Sequence, residues 1–210
     1  MTRKESGPVV EAYLRQSPLS QLALPSRIAA EHGNTGVTMA ERQFRRIVNL
    51  RGNPKSEEFT KAVKSVLGAD PPLMPNSVNT GKDITLLWLG PDEWWIITDA
   101  DTAPVADKLR EALAGQHAVV TDVGEGYTCI AASGASAADT LAKGCTLDFH
   151  DSVFAPGSCA QSDMAKAVVV FHRLEADKPS FEIYVRSSFA EYLWRWIENA
   201  AEEYGVAVTQ

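Results

Sequence analysis

The side chains able to do chemistry in this sequence are few and scattered. Its four histidines, His32, His117, His150 and His172, fall in different segments. No two stand at the i, i+4 spacing that places paired ligands on one helix face, so no metal pair is implied. His172 lies in a strand where alternation sets it opposite Phe171, which predicts a solvent-facing ring. Three cysteines, Cys129, Cys145 and Cys159, leave at least one unpaired, and their spacings fit no common zinc pattern. Lys143-Gly144-Cys145 is a candidate activated thiol, with a lysine nearby. However, Cys145 would follow a helix C-terminus, whose negative pole disfavours a thiolate. A small buried residue behind a helix cap is the better reading of it.

Two carboxylate pairs, Asp148 with Asp151 and Asp92 with Glu93, are candidates for acid–base work. Neither is accompanied by a histidine, serine or lysine constellation, and Asp92-Glu93 falls in an expected hairpin turn. Gly124-Glu125-Gly126 lacks the third glycine of a dinucleotide fingerprint and precedes a strand instead of a helix. No residue is therefore assigned as catalytic, cofactor-binding or metal-ligating. The formal net charge of −7 and the interrupted basic set Arg42, Arg45, Arg46 and Arg51 argue against a nucleic-acid partner. Met1 to Val10 is polar, without the apolar core of a secretory signal, and no apolar run approaches the ~20 residues of a membrane span. A cytoplasmic chain with reduced thiols is expected.

Aromatic residues carry more information. Trp94 and Trp95 are adjacent in a strand and must point to opposite faces. In the last helix, Phe189, Leu193, Trp196, Ile197 and Ala200 form a core stripe. Trp194 sits about 140° from Phe189 around that helix, at ~100° per residue. It is either core packing or a partner contact, since tryptophan is enriched at interfaces. Ser17-Pro18-Leu19 and Leu22-Ala23-Leu24-Pro25 suit an extended arm laid across another surface. The candidate partner interface is accordingly Trp194, Leu19 and Leu22.

The elements that would position these groups come in a repeated order. Residues 45–51 read as a strand, Glu57 to Leu67 as a helix closed by Gly68, Ile84 to Leu89 and Trp94 to Thr98 as a hairpin, and Pro104 to Leu113 as a helix. The order recurs with a strand from Tyr127 to Ala132, a helix from Ala137 to Lys143, strands Ala167 to Leu174 and Phe181 to Arg186, and a helix from Phe189 to Glu203. His117 to Val123 adds a strand-like link. This predicts an α+β fold of two β-α-β-β-α halves offset by roughly 80 residues, with mostly antiparallel sheets and helices packed on them. The expected organisation is an extended arm over residues 1–36 and one domain over 37–210, with halves of about 37–116 and 117–210.

Four segments, in order, resemble the gamma subunits of heterotetrameric sarcosine oxidases. Leu87-Trp88-Leu89-Gly90-Pro91-Asp92-Glu93-Trp94-Trp95 is similar to that family's Leu-Gly-Pro-Asp-Glu-Trp segment. Leu141 to Asp148 resembles its Lys-Gly-Cys-x-Leu-Asp segment, and Phe154 to Gln161 its Phe-x-Pro-Gly-x-Cys-Ala-Gln loop. Tyr184 to Trp194 resembles its closing strand and helix. The resemblance covers nearly the whole chain from Ser17 onward. It implies a non-catalytic subunit assembled with alpha, beta and delta chains, alpha being the expected direct contact. Such a complex demethylates sarcosine to glycine oxidatively, yielding hydrogen peroxide and either formaldehyde or 5,10-methylenetetrahydrofolate. FAD, FMN, NAD, tetrahydrofolate and zinc are implied for the other chains, and none for this one. The resemblance also implies a fold like the folate-binding part of aminomethyltransferases. The alternatives are a free-standing folate-binding protein of that fold, or a small thiol enzyme using Cys145 or Cys159.

Overall fold

The computed structural model describes residues 15–28, 35–99, 104–174 and 176–209. In chain order the elements are β1 (Val37–Arg42), β2 (Arg46–Arg51), α1 (Glu57–Leu67), β3 (Val78–Gly81), β4 (Ile84–Gly90), β5 (Glu93–Thr98) and α2 (Ala106–Ala112). They continue as β6 (Val119–Asp122), β7 (Tyr127–Ser133), α3 (Ala137–Ala142), β8 (Cys159–Met164), β9 (Ala167–Arg173), β10 (Ser180–Arg186), α4 (Ala190–Ala201) and β11 (Val206–Val208). Local chemistry accounts for their limits. In α1, for example, the Ser56 side chain accepts a hydrogen bond from the Phe59 N–H, and Glu57 and Glu58 stand at the positive pole. Gly68, with φ of 70°, then ends the helix in the left-handed region.

Two sheets result, ordered β3-β4-β5-β2-β6 and β11-β1-β7-β10-β9-β8. The run β2-α1-β3-β4-β5-α2 recurs as β7-α3-β8-β9-β10-α4, and equivalent strands take equivalent places in the two sheets. The strand before each run crosses to the other half. β1 pairs antiparallel with β7, and β6 pairs antiparallel with β2. The halves expected at about 37–116 and 117–210 are thus interlocked, because each sheet contains a strand from the other half's side of the boundary.

The sheets stack face to face, with helices outside. Phe59, Val63 and Leu67 of α1 and Leu109 of α2 pack on Leu50, Leu86, Trp94 and Ile96 of the first sheet. Leu141 of α3 and Leu193, Trp194 and Ile197 of α4 pack with Met39, Ile130, Phe171 and Ile183 of the second. Between the sheets lie Ile47, Leu87, Trp95, Ile97, Cys129, Val170 and Tyr184. Trp94 and Trp95 do take opposite faces. Trp94 points to the helices and donates its Nε1–H to the Pro72 carbonyl at 2.7 Å, whereas Trp95 points to the second sheet.

Three sequence expectations fail here. Residues 15–28 of the arm are not extended but form two 3-10 turns, Ser20–Leu22 and Leu24–Arg27. The rest of the expected arm, apart from Thr35 and Gly36, lies outside the described residues. Leu19, Leu22 and Trp194 are 1%, 8% and 0% exposed and belong to this chain's own core, so they offer no surface to a partner. The helix-phase error has a simple origin. Ser187–Phe189 forms a 3-10 turn, so α4 begins at Ala190 and buries Ala190, Leu193, Trp194, Ile197 and Ala201. Counting from Phe189 rotated the stripe. Finally, His172 is buried, because the face of β9 opposite Phe171 is covered by the other sheet.

Candidate functional site: the seam between the sheets

Polar chemistry concentrates along the inner faces of the two sheets. At one end, Glu182 of β10 stands beside His172 of β9 in the ladder. Its carboxylate accepts hydrogen bonds from Arg45 Nη2 at 2.8 Å and Tyr184 Oη at 2.6 Å, and His172 Nδ1 lies 3.5 Å away. Arg45 also pairs with Asp99. Burial alone would raise the Glu182 carboxyl, but His172, Arg45 and the Tyr184 hydroxyl outweigh it and hold the group at about 2. Burial, with Cys129 and Glu182 nearby, pushes the Tyr184 hydroxyl up, so it remains a donor. The Cys129 thiol is pushed up by burial and by Glu182. A carboxylate locked ionised among donors, beside a neutral thiol, is a structural ion network with neither a free base nor a nucleophile.

The middle of the seam is a side-chain staple. The β4–β5 register shifts between Trp88 and Gly90, leaving Leu89 as an extra residue. At this irregularity the Trp88 carbonyl accepts from Cys159 Sγ at 3.3 Å, and the Leu89 carbonyl accepts from Gln161 Nε2 at 2.9 Å. The Cys159 N–H donates to the Asn76 carbonyl at 2.8 Å, and a bridge joins Ser77 to Ser158. Strand β8 is thereby fastened to the opposite sheet. Burial pushes the Cys159 thiol up to about 12, against a lowering contribution from the Trp88 backbone.

Lys143-Gly144-Cys145 proves equally structural. Lys143 donates to the Ala200 carbonyl and to Glu203, tying α3 to the C-terminal end of α4. The Glu203 hydrogen bond raises its pKa. A Cβ at Gly144 would stand 2.3 Å from the Trp196 ring, so only glycine admits that indole. Cys145 is buried, with Sγ 3.5 Å from Ser162 Oγ.

The carboxylate pairs separate. Asp148 accepts from the His150 N–H in a local turn, and Asp151 pairs with the buried guanidinium of Arg173 at 2.7 Å. Asp92 pairs with Arg51, and Glu93 accepts from Asn49 at 2.6 Å. Among the described residues no group of three or more His, Cys, Asp or Glu is placed to hold a metal ion, and no helix is long and apolar enough to cross a membrane. Sequence reasoning missed Arg45, Glu182, Gln161 and Arg173. The available signal was charge inside apolar strands, as at Arg173 after Ala167 to His172 and at Glu182 within Phe181 to Val185.

At the other end the seam opens into two adjoining cavities of about 450 and 420 Å³, which share Trp95, Tyr127, Gln161 and Arg186. The Trp95 and Tyr127 rings meet edge to face at 4.8 Å, and the Arg186 guanidinium lies 5.0 Å above Tyr127.

This architecture recurs in the glycine cleavage system aminomethyltransferase T of Bartonella henselae, with a TM-score of 0.70 at 12% identity over 93% of this chain and 59% of that one. The shared feature at that distance is the α+β fold. A family model described as sarcosine oxidase, gamma subunit family, matches residues 51–203, and the chain belongs to that family. The sarcosine oxidase gamma subunit of Corynebacterium sp. strain U-96 is 29% identical over 92% of this chain and 93% of its own length. That of an Arthrobacter species is 28% identical over 91% and 92%. Among solved structures, the heterotetrameric sarcosine oxidase of Corynebacterium sp. U-96, in complex with pyrrole 2-carboxylate, contains a chain that matches with a TM-score of 0.81 at 28% identity. The match covers 94% of this chain and all of that one.

Proposed function

We propose that this chain is the non-catalytic gamma subunit of a cytoplasmic heterotetrameric sarcosine oxidase, contributing shape and assembly to a complex whose reaction centre lies on other chains. The observation that carries this reading is the end-to-end structural match to a chain of such an oxidase. Residues of the family-like motifs also support it: Lys143 caps a helix, while Cys159 and Gln161 hold two sheets together. Each of these side chains is engaged in a structural contact.

In the proposed complex, sarcosine loses two electrons from its C–N bond to oxygen, and water releases formaldehyde, leaving glycine and hydrogen peroxide. With tetrahydrofolate present the one-carbon unit leaves as 5,10-methylenetetrahydrofolate. FAD, FMN, NAD, tetrahydrofolate and zinc are assigned to partner chains, with alpha the proposed direct neighbour.

The test is a tagged pull-down from cells expressing all four chains, read by the visible flavin spectrum and by sarcosine-dependent peroxide release. Yellow, active material is expected. A colourless lone chain, with the partners demonstrably expressed, overturns the reading. Direct tetrahydrofolate binding by that lone chain in titration calorimetry would then favour a free-standing folate-binding protein.

A further inference from the structure

The second sheet extends one rung beyond the cover of the first. Cys129, Tyr184 and Val170 of its inner face are buried against the opposite sheet. On the next rung, Tyr127 pairs with Arg186 across β7–β10, and Val168 pairs with Asp163 across β8–β9. Continuing the β9–β10 register from Val185 and Val169 sets Val168 beside Arg186. Val168 points to the same face as buried Val170 yet is 68% exposed, none of the described residues lying over it.

The groove beside this rung has a volume of about 420 Å³. Phe189, 42% exposed, walls it just past the end of β10, and Tyr192, 39% exposed, follows three residues later on α4. Three of the large apolar side chains that this chain leaves in solvent thus come from one β10–α4 junction and its neighbouring strand. The charged residues lining the groove are Lys166 and Arg186. Neither has a carboxylate partner among the described residues, although the chain carries a net charge of −7. Asp163 closes the far edge of the rung. Across the shared wall the acids Glu93, Asp122 and Glu125 line the adjoining cavity, where Arg15 engages Glu125 at 2.7 Å.

We infer that this uncovered rung, centred on Val168, Phe189, Lys166 and Arg186, is a docking surface for a partner-chain segment that presents an apolar or aromatic side chain flanked by carboxylates. The inference deepens the subunit reading above and rests on it. Charge complementarity selects the occupant. An apolar side chain would cover Val168 and Phe189, and its flanking carboxylates would meet Lys166 and Arg186, the latter already aligned over Tyr127. The open, outward-facing position of Val168 suits a polypeptide laid across the sheet better than a small molecule enclosed by it.

The experiment uses the co-expressed four-chain complex. Lys166 labelling by an amine reagent is compared in the free chain and in the complex, and a zero-length carbodiimide crosslink is mapped by mass spectrometry. Lys166 is expected to be at least about tenfold protected in the complex and to crosslink to a carboxylate of another subunit. The double variant K166E/R186E, both positions being exposed, is expected to lower complex recovery at least about tenfold while the free chain keeps its circular dichroism. Full assembly of that variant, together with equal reactivity of the wild-type Lys166 in complex and free chain, overturns this inference and leaves the subunit reading intact. Failure of the wild-type chain to capture any partner overturns both. Concentration-dependent protection of Lys166 in the free chain, with a dimer mass in sedimentation, would give the groove to a second copy and also overturn it.

Discussion

Replacing Glu182 with glutamine probes the buried ion network with almost no change of shape. In the wild-type chain this carboxyl sits at about 2, against an ordinary value of 4.5. A group whose folded value is depressed stabilises the fold fully above its unfolded value, and that stability is lost as pH falls through the folded one. That depression corresponds to roughly 3 kcal/mol at pH 7. At pH 3 the same linkage leaves only about 1 kcal/mol, and near pH 1 almost none. Glu182→Gln removes the charge that Arg45 and His172 face, so it should cost about 3 kcal/mol at neutral pH. Urea denaturation of the purified wild-type and variant chains at pH 7 and pH 3 measures both numbers. The gap between the two curves should shrink by about 2 kcal/mol between these pH values. A gap that does not change with pH, or one below about 1 kcal/mol at pH 7, would refute the assignment of Glu182 as the ionised centre of the network.

Two further outcomes follow from burial. Trp194→Ala empties the space of a fully buried indole and should destabilise the isolated chain by about 3–5 kcal/mol in urea; unchanged stability with lost assembly would return Trp194 to the interface. Native Cys159, held up to about 12, carries at pH 8 a thiolate fraction of roughly 10⁻⁴, about a thousandfold below a thiol at 9.0. Iodoacetamide should therefore label it only after denaturation, and rapid labelling of the folded chain would revive a thiol enzyme.

Much of the fold was legible in the linear sequence because its causes are local. The C-terminal limit and buried face of α1 follow from the stripe Phe59, Val63 and Leu67 and from Gly68, all within one short window. The hairpin of β4 and β5 follows from apolar runs around Gly90-Pro91-Asp92-Glu93, and the opposite facing of Trp94 and Trp95 from the two-residue period of a strand. The repeat was legible for the same reason, since each half carries its own copy of those local signals. Strands β1, β3, β8 and β11 were not, because Val78–Gly81 and Cys159–Met164 are polar or glycine-containing edges without clean alternation, and Val206–Val208 is three residues long.

Tertiary structure alone decided which of two equivalent-looking faces is covered. Alternation placed His172 opposite Phe171, yet only the arrival of the other sheet buries it and lets Glu182 draw in Arg45 from far along the chain. Turn geometry at Ser187–Phe189 set the phase of α4, and with it the burial of Trp194 and the exposure of Phe189. The Trp88 and Leu89 carbonyls meet Cys159 and Gln161 about 70 residues later in the chain, a pairing that no sequence window contains. By itself the sequence determined the helices and the central strands, their duplication and the family resemblance, all of which rest on neighbouring residues. Which side chains became staples, core or open surface depended on the stacking of two sheets, since desolvation and long-range hydrogen bonding exist only once distant segments meet.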